Sequence, residues 1–100
     1  MINLEHLTGF DWDDGNARKS IDKHSVSQAE AEQVFFSFPL LVLEDIKHSQ
    51  NEPRYHALGK TDSARKLHIT FTLRLSDTLI RVISARDMHH KERNSYAQNR

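Results

Sequence analysis

Leu67, Ile69, Phe71, Leu73 and Leu75 alternate with His68, Thr70, Thr72 and Arg74. A period of two sends every second side chain to the same side of an extended backbone. A chain holding such a segment must build a sheet with one buried and one polar face, which suits antiparallel pairing. The flanking sequence continues the pattern. Ser76-Asp77 turns the chain, and residues 79–85 read as a central strand, rich in Ile and Val and apolar on both faces except at Arg81. Residues 54–59 read as a strand, residues 60–64 as the hairpin connection, and residues 40–43 as a further short strand.

Ahead of the strands the period lengthens. Asp13 or Asp14 caps a helix running to about His24, with Ala17 and Ile21 on its inner face and Asn16, Arg18, Lys19 and Asp22 outside. Lys23 and His24 close it, where cations suit the helix dipole. Ser27-Gln28-Ala29-Glu30 is a capping box that opens a second helix. That helix runs to about Ser37 with Ala31, Val34, Phe35 and Phe38 as its stripe, until Pro39 stops it. Residues 10–12 read as a short extra edge strand, and residues 88–98 as a charged last helix. Two N-terminal helices, a four-stranded antiparallel sheet and a C-terminal helix make an α+β fold. At 100 residues this is one domain, 1–100.

Several classes of function are excluded by what is missing. The chain has no cysteine, so disulfides and thiolate chemistry are absent. No apolar run reaches the roughly 20 residues of a membrane span, and residues 1–10 lack a basic region followed by an apolar stretch, so a cytoplasmic location is expected. The glycines stand at 9, 15 and 59, which makes no phosphate-cradling loop and speaks against a nucleotide cofactor or a small phosphorylated substrate. No Gly-x-Ser-x-Gly elbow is present. Seven histidines invite a metal, but no His-x-x-x-His pair with a Glu exists and His89-His90 diverge on a helix, so no metal and no cofactor are expected.

Fourteen basic residues balance 14 acidic ones, yet the cations are unevenly spread. Arg81, Arg86, Lys91, Arg93 and Arg100 crowd the end, with His89 and His90 among them. His68, Thr70, Thr72 and Arg74 share the polar face of the long strand, and Arg54 and His56 share a face of the strand before it. One reading is a solvated sheet surface. The other is a platform for an anionic, planar ligand such as single-stranded RNA. A guanidinium in a central strand, as at Arg81, needs a partner or a ligand, because burying it unpaired costs several kcal/mol.

The ordered pieces Phe10-x-Trp12-Asp13, Lys23-His24-x-Val26-Ser27, Ala31-x-x-Val34-Phe35, Arg54-Tyr55 with Leu58-Gly59, Arg81-x-Ile83-Ser84-Ala85-Arg86 and Glu92-Arg93-x-x-Tyr96 resemble the BrnT family. These are toxins of type II toxin–antitoxin systems with a RelE-like ribonuclease fold. The resemblance runs from about residue 10 to 97. The chain departs from the family at Ser25, where a glycine is usual, at Phe38, where Asp often precedes the proline, and near Ser20, where Asn is frequent.

The resemblance implies an endoribonuclease that works without a metal and inhibits translation. A ribose 2′-hydroxyl attacks the adjacent phosphate, which calls for a proton acceptor, cations on the phosphate oxygens and an acid for the departing 5′-oxygen. On it, His24 is the acid or base, Lys23 stands beside it as a cation, and Arg54 and Arg81 clamp phosphate. Arg86 and Arg93, with His56 and His68, extend the RNA path; alternatively Arg86 and Arg93 tie the last helix to the body, with Glu92 pairing one of them. Lys23 and His24 equally serve as a helix cap, and Trp12 and Tyr96 read as packing residues. The implied partner is a BrnA-like antitoxin with a ribbon-helix-helix segment, through which alone the pair touches DNA, with a toxin–antitoxin heterotetramer among the assemblies open to it. No membrane partner is implied. The competing function is a non-catalytic RNA- or antitoxin-binding module.

Overall fold

The structure, a computed structural model, describes residues 4–98; Arg100 of the C-terminal basic group lies outside them. The strands are β1 (Gly9–Phe10), β2 (Leu41–Glu44), β3 (Tyr55–Lys60), β4 (Lys66–Arg74) and β5 (Leu79–Asp87), and the helices are α1 (Asp14–His24), α2 (Gln28–Val34) and α3 (His90–Gln98). Short 3-10 turns occupy Leu4–His6 and Ile46–His48. The strands form one sheet in the order β1-β5-β4-β3-β2.

The α+β class is observed, with two corrections to the sheet. It has five strands and is mixed, because β1 runs parallel to β5, pairing Gly9 with Leu79 and Phe10 with Ile80. The extra strand is therefore Gly9–Phe10, and Trp12 lies beyond it, donating from its indole N–H to Glu32 at 2.7 Å. The other pairs are antiparallel.

One sheet face is the core. Ile69, Phe71, Val82 and Ala85 are fully buried there, with Ala57 and Leu67 beside them. Phe71 stacks on Tyr55 and meets the edge of Phe35. α2 covers this face with Ala31 and Val34, under the expected Ser27–Glu30 capping box. It ends at Val34, three residues before the expected stop. Ser37 then donates to the Val34 carbonyl and accepts from the Lys60 N–H, fastening the helix end to β3. Gly59 makes this approach possible: a Cβ there would stand 2.6 Å from Ser37 Oγ and 2.8 Å from Val34 Cγ1.

α1 buries a different face from the one its apolar residues mark. Asn16 and Ser20 are its buried residues, whereas Ile21 is 48% exposed. The cause is the sheet edge. β1 stops at Phe10, and the outer backbone groups of β5 would continue without a partner. Asn16 Nδ2 donates to the Val82 carbonyl at 2.9 Å, and Ser20 Oγ accepts from the Ala85 N–H at 2.8 Å. Two polar side chains thus complete the hydrogen bonding of the strand edge. At the other end of α1, Ser25 takes the left-handed conformation (φ 55°) that suits the residue after a helix. Arg65 donates to the carbonyls of His24 and Ser25 and to Glu30 and Asp87, tying the α1–α2 junction to the sheet.

The long strand keeps its alternation, but its polar face is not wholly wet. His68 and Thr72 are buried, His68 beneath α3 and Thr72 through a hydrogen bond to the Pro53 carbonyl. Leu75 leaves the pattern, lying exposed in a turn where it, Ser76 and Asp77 all have positive φ.

Candidate active site

The polar sheet face gathers the histidines. Antiparallel register sets His56 opposite Thr70 and Leu58 opposite His68, while Leu43 lies opposite His56 on the outer side. On β5 a bulge intervenes: Thr70 faces Ser84 and Phe71 faces Val82, leaving Ile83 as the extra residue. The bulge shifts the side-chain phase by one. Arg81, Ser84 and Arg86, which unbroken alternation would divide between faces, therefore all stand on the polar face, opposite Thr72, Thr70 and His68.

A cleft of about 430 Å³ opens here, lined by Leu43, His56, Leu58, His68, Thr70, Arg86 and Glu92. The last helix and the segment leading into it close one end, packing Tyr96 and Met88 against Leu58 and Leu41, with the Tyr96 hydroxyl donating to the Pro39 carbonyl at 2.6 Å.

The rings of His56 and His68 are 4.6 Å apart between centroids. His56 Nε2 lies 3.0 Å from the Asp45 carboxylate and Nδ1 lies 3.1 Å from Thr70 Oγ1. With Nε2–H donating to Asp45, the neutral ring keeps an Nδ1 lone pair to accept from Thr70. Asp45 is buried, caps the 46–48 turn, and also meets His48 Nδ1 at 3.0 Å. Burial works against its charge, but hydrogen bonds from the His48 side chain and backbone, and nearby His56, hold the carboxyl below the usual carboxylate range.

His68 is 8% exposed, and its Nδ1 has no hydrogen-bond partner among the described residues. Burial, with Arg86 close by, pushes the ring down to about 4 against the pull of Glu92, so it is neutral at physiological pH. Arg86 forks onto Glu92 at 2.8 and 2.9 Å. That pair, helped by the His89 N–H, pushes the Glu92 carboxyl down to about 2 despite partial burial.

The other sequence candidates are distributed around the fold. His56, His68 and Arg86 come together. His24 and Arg81 do not meet, because α1 runs between them. His24 and exposed Lys23 end α1, beside Arg65 and Asp87. Arg81 is at the opposite end of that helix, paired with Asp13 at 2.8 Å and Asp11 at 3.4 Å. The partner required of a strand arginine is thus an aspartate pair at the start of α1. Arg54 precedes β3, its backbone joined to Ser49 and Asp45 and its side chain in a separate polar hollow with Lys47, His48 and Glu52. Arg93 is exposed on α3, close enough to Asp87 to help lower its carboxyl.

Asp45 is a site residue that sequence reasoning missed, between the strands read at residues 40–43 and 54–59. Its signal lay in pairing: once Leu43 faces His56, Asp45 leaves β2 just beyond that histidine. Among the described residues, no group of three or more His, Asp or Glu side chains is disposed to hold a metal ion, and no helix is long and apolar enough to cross a membrane.

No curated protein matches the chain. The family model described as the ribonuclease toxin BrnT of type II toxin–antitoxin systems matches residues 12–92. That span contains the Ser27–Glu30 capping box, all four antiparallel strands, the bulge and every residue lining the cleft, and on it the chain belongs to the BrnT family of ribonuclease toxins.

Proposed function

We propose that the toxin cuts RNA at the cleft between His56, His68 and Arg86, without a metal, and thereby inhibits translation in the cytoplasm. The observation that carries this reading is the pair of imidazoles 4.6 Å apart with a strand arginine beside them. Two rings that close do not both carry charge readily, so their roles divide. His56, backed by Asp45 at Nε2, is the ring that moves a proton: the attacking 2′-hydroxyl takes the place of the Thr70 hydroxyl at Nδ1 and gives up its proton there. The new bond joins the 2′-oxygen to phosphorus, the bond to the 5′-oxygen breaks, and that oxygen leaves with a proton from solvent. Arg86 and the neutral His68 ring donate to the non-bridging oxygens as charge builds on them. Arg54, Arg93, Lys23 and His24 then serve the path of the RNA outside the cleft, and Arg81 acts with Asp11 and Asp13 in holding α1.

The family brings an antitoxin as partner. We assign that role to a BrnA-like protein whose ribbon-helix-helix segment makes any DNA contact, in an assembly up to a heterotetramer. Its neutralising segment covers the polar face, the last helix or both. One observation favours the rival reading of a non-catalytic module: both terminal nitrogens of Arg86 are already engaged by Glu92.

The deciding experiment incubates the purified chain and its variants with naked RNA, with and without EDTA. Cleavage that survives EDTA, is lost in His56→Ala and Arg86→Lys, and persists in His24→Ala is the expected pattern. Arg86→Lys keeps the charge but loses the planar fork. Undiminished cleavage by a folded His56→Ala/Arg86→Lys variant overturns the assignment, and absence of cleavage by the wild-type chain on every RNA favours the binding module.

A further inference from the structure

Glu92 is held in the manner of a bound anion. Arg86 donates to Oε1 and Oε2 in a parallel fork, the backbone N–H of His89 donates to Oε1 at 2.8 Å, and His68 Nε2 stands 3.6 Å from Oε2. A guanidinium makes that fork equally well with a carboxylate or with a phosphate. The donors come from three places, β4, β5 and the start of α3, and meet where the cleft opens.

An ordinary arginine–glutamate pair explains only part of this. The Arg86–Glu92 fork and the His89 contact are complete without His68, yet His68 sits at the same spot. It is buried, its Nε2 is beyond good hydrogen-bond reach of Glu92 and its Nδ1 has no partner among the described residues. A buried imidazole left without good partners is unfavourable. Nε2 is the nitrogen on the Glu92 side of the ring, and a ligand with more acceptor oxygens than a carboxylate, brought within its reach, takes a hydrogen bond that Glu92 at 3.6 Å does not. A phosphodiester has such oxygens, and the neutral ring donates to them without adding charge.

We infer that Arg86, the His89 N–H and His68 form a phosphate subsite that the protein's own Glu92 occupies when RNA is absent. The inference rests on the ribonuclease reading above and adds to it the seat of an RNA phosphate and an internal competitor for that seat. Glu92 belongs to α3, which is anchored by Tyr96 within it and by Met88 two residues before it. RNA entry exchanges the Glu92 carboxylate for a phosphate while those anchors keep the helix in place.

The test uses the full chain and inorganic phosphate as probe, with the histidine ring signals read by NMR. Glu92→Gln removes the competing charge and retains an oxygen for the His89 N–H. It is expected to bind phosphate about tenfold or more tightly than wild type, in keeping with a charge-assisted forked contact, with the His68 signals moving. Adding Arg86→Lys to Glu92→Gln should abolish the gain. If Glu92→Gln does not fold, Glu92→Asp retracts the carboxylate by one methylene and should gain a few-fold. Equal affinity in the folded variant and wild type, or binding that leaves the His68 signals unmoved, overturns the inference. An uncleavable 2′-O-methyl oligoribonucleotide should follow the same order as phosphate. Cleavage by wild type with no phosphate gain in Glu92→Gln sinks the subsite and spares the ribonuclease. A phosphate gain with no RNA cleavage by either protein does the reverse.

Discussion

The Asn16 side chain of α1 donates to the Val82 carbonyl of β5 at 2.9 Å, where β5 has lost its β1 neighbour. Asn16 also donates to the Asp11 carbonyl at 3.1 Å and accepts from the Asp13 N–H at 2.7 Å. Asn16→Ala leaves a buried strand carbonyl without its donor, and a loss of about 1–3 kcal/mol is expected. Ser20→Ala removes the acceptor for the Ala85 N–H and should cost in the same range. Urea unfolding of both variants checks this; a cost near zero at both sites means α1 does not complete the strand edge.

Gly59 should not tolerate a side chain. Its Cβ would meet Ser37 Oγ, Val34 Cγ1 and, at 3.0 Å, the Val34 carbonyl oxygen, a backbone atom that cannot swing aside. Gly59→Ala is expected to cost about 1–3 kcal/mol, the usual penalty for overpacking. Gly59→Ala/Ser37→Ala should recover part of it by removing the nearest atom. Thermal unfolding compares the two, and a double variant no more stable than Gly59→Ala shows that Val34 sets the limit.

Acid should unfold the protein in two adjoining steps. His68 falls from its ordinary 6.5 to about 4 on folding. Between those values the unfolded chain holds a proton that the folded chain does not, so this contribution is complete above 6.5 and shrinks as pH falls towards 4. Glu92 falls from 4.5 to about 2, so its contribution is complete above 4.5 and disappears as pH falls through about 2. Asp87 and Glu30, both lowered, chiefly by Arg65 and by the Ser27 N–H respectively, act with the same sign at the acid end. Urea midpoints measured across this range should decline throughout, and His68→Asn should flatten the upper step alone. An unchanged upper step in that variant assigns it to another histidine.

Association with the antitoxin should depend on salt through α3. Lys91 and Arg93 are exposed there, whereas Arg81 and Arg86 are engaged by carboxylates. Lys91→Glu/Arg93→Glu should slow association by about tenfold at low salt and change dissociation little. A rate indifferent both to salt and to these charges means the partner docks elsewhere.

How much of this could be read beforehand depends on the kind of interaction. The β4 alternation and the Ser27–Glu30 box are local patterns, and both are observed nearly to the residue. The buried face of α1 could not be read, because Asn16 and Ser20 are buried for the backbone groups they satisfy, and a search for apolar spacing selects Ala17 and Ile21 instead. The parallel β1 pairing was equally hidden, since a two-residue strand has no period. At the site, Arg86 with Glu92 was foreseen as one alternative. The convergence of His24 with Arg54 and Arg81 was expected from family likeness, whereas the length of α1 stands between His24 and Arg81. His56 and His68 became a pair only through hairpin register, and Arg86 joined them only because Ile83 is extra. Register and bulges arise between strands and leave little mark on a single one.

The α1 contact also limits what the sheet can join. With β5 bonded along its outer side by β1, Asn16 and Ser20, the longer open edge among the described residues is that of β2, and the opposite edge is only the two residues of β1. Two copies meeting at β2 strand to strand would each offer only that two-residue edge to the outside, too short to template a further copy, and growth would stop at two. A sheet open on both sides can add copies without end, as fibres do. The two polar residues of α1 therefore act as a terminator, setting an upper limit on edge-to-edge assembly.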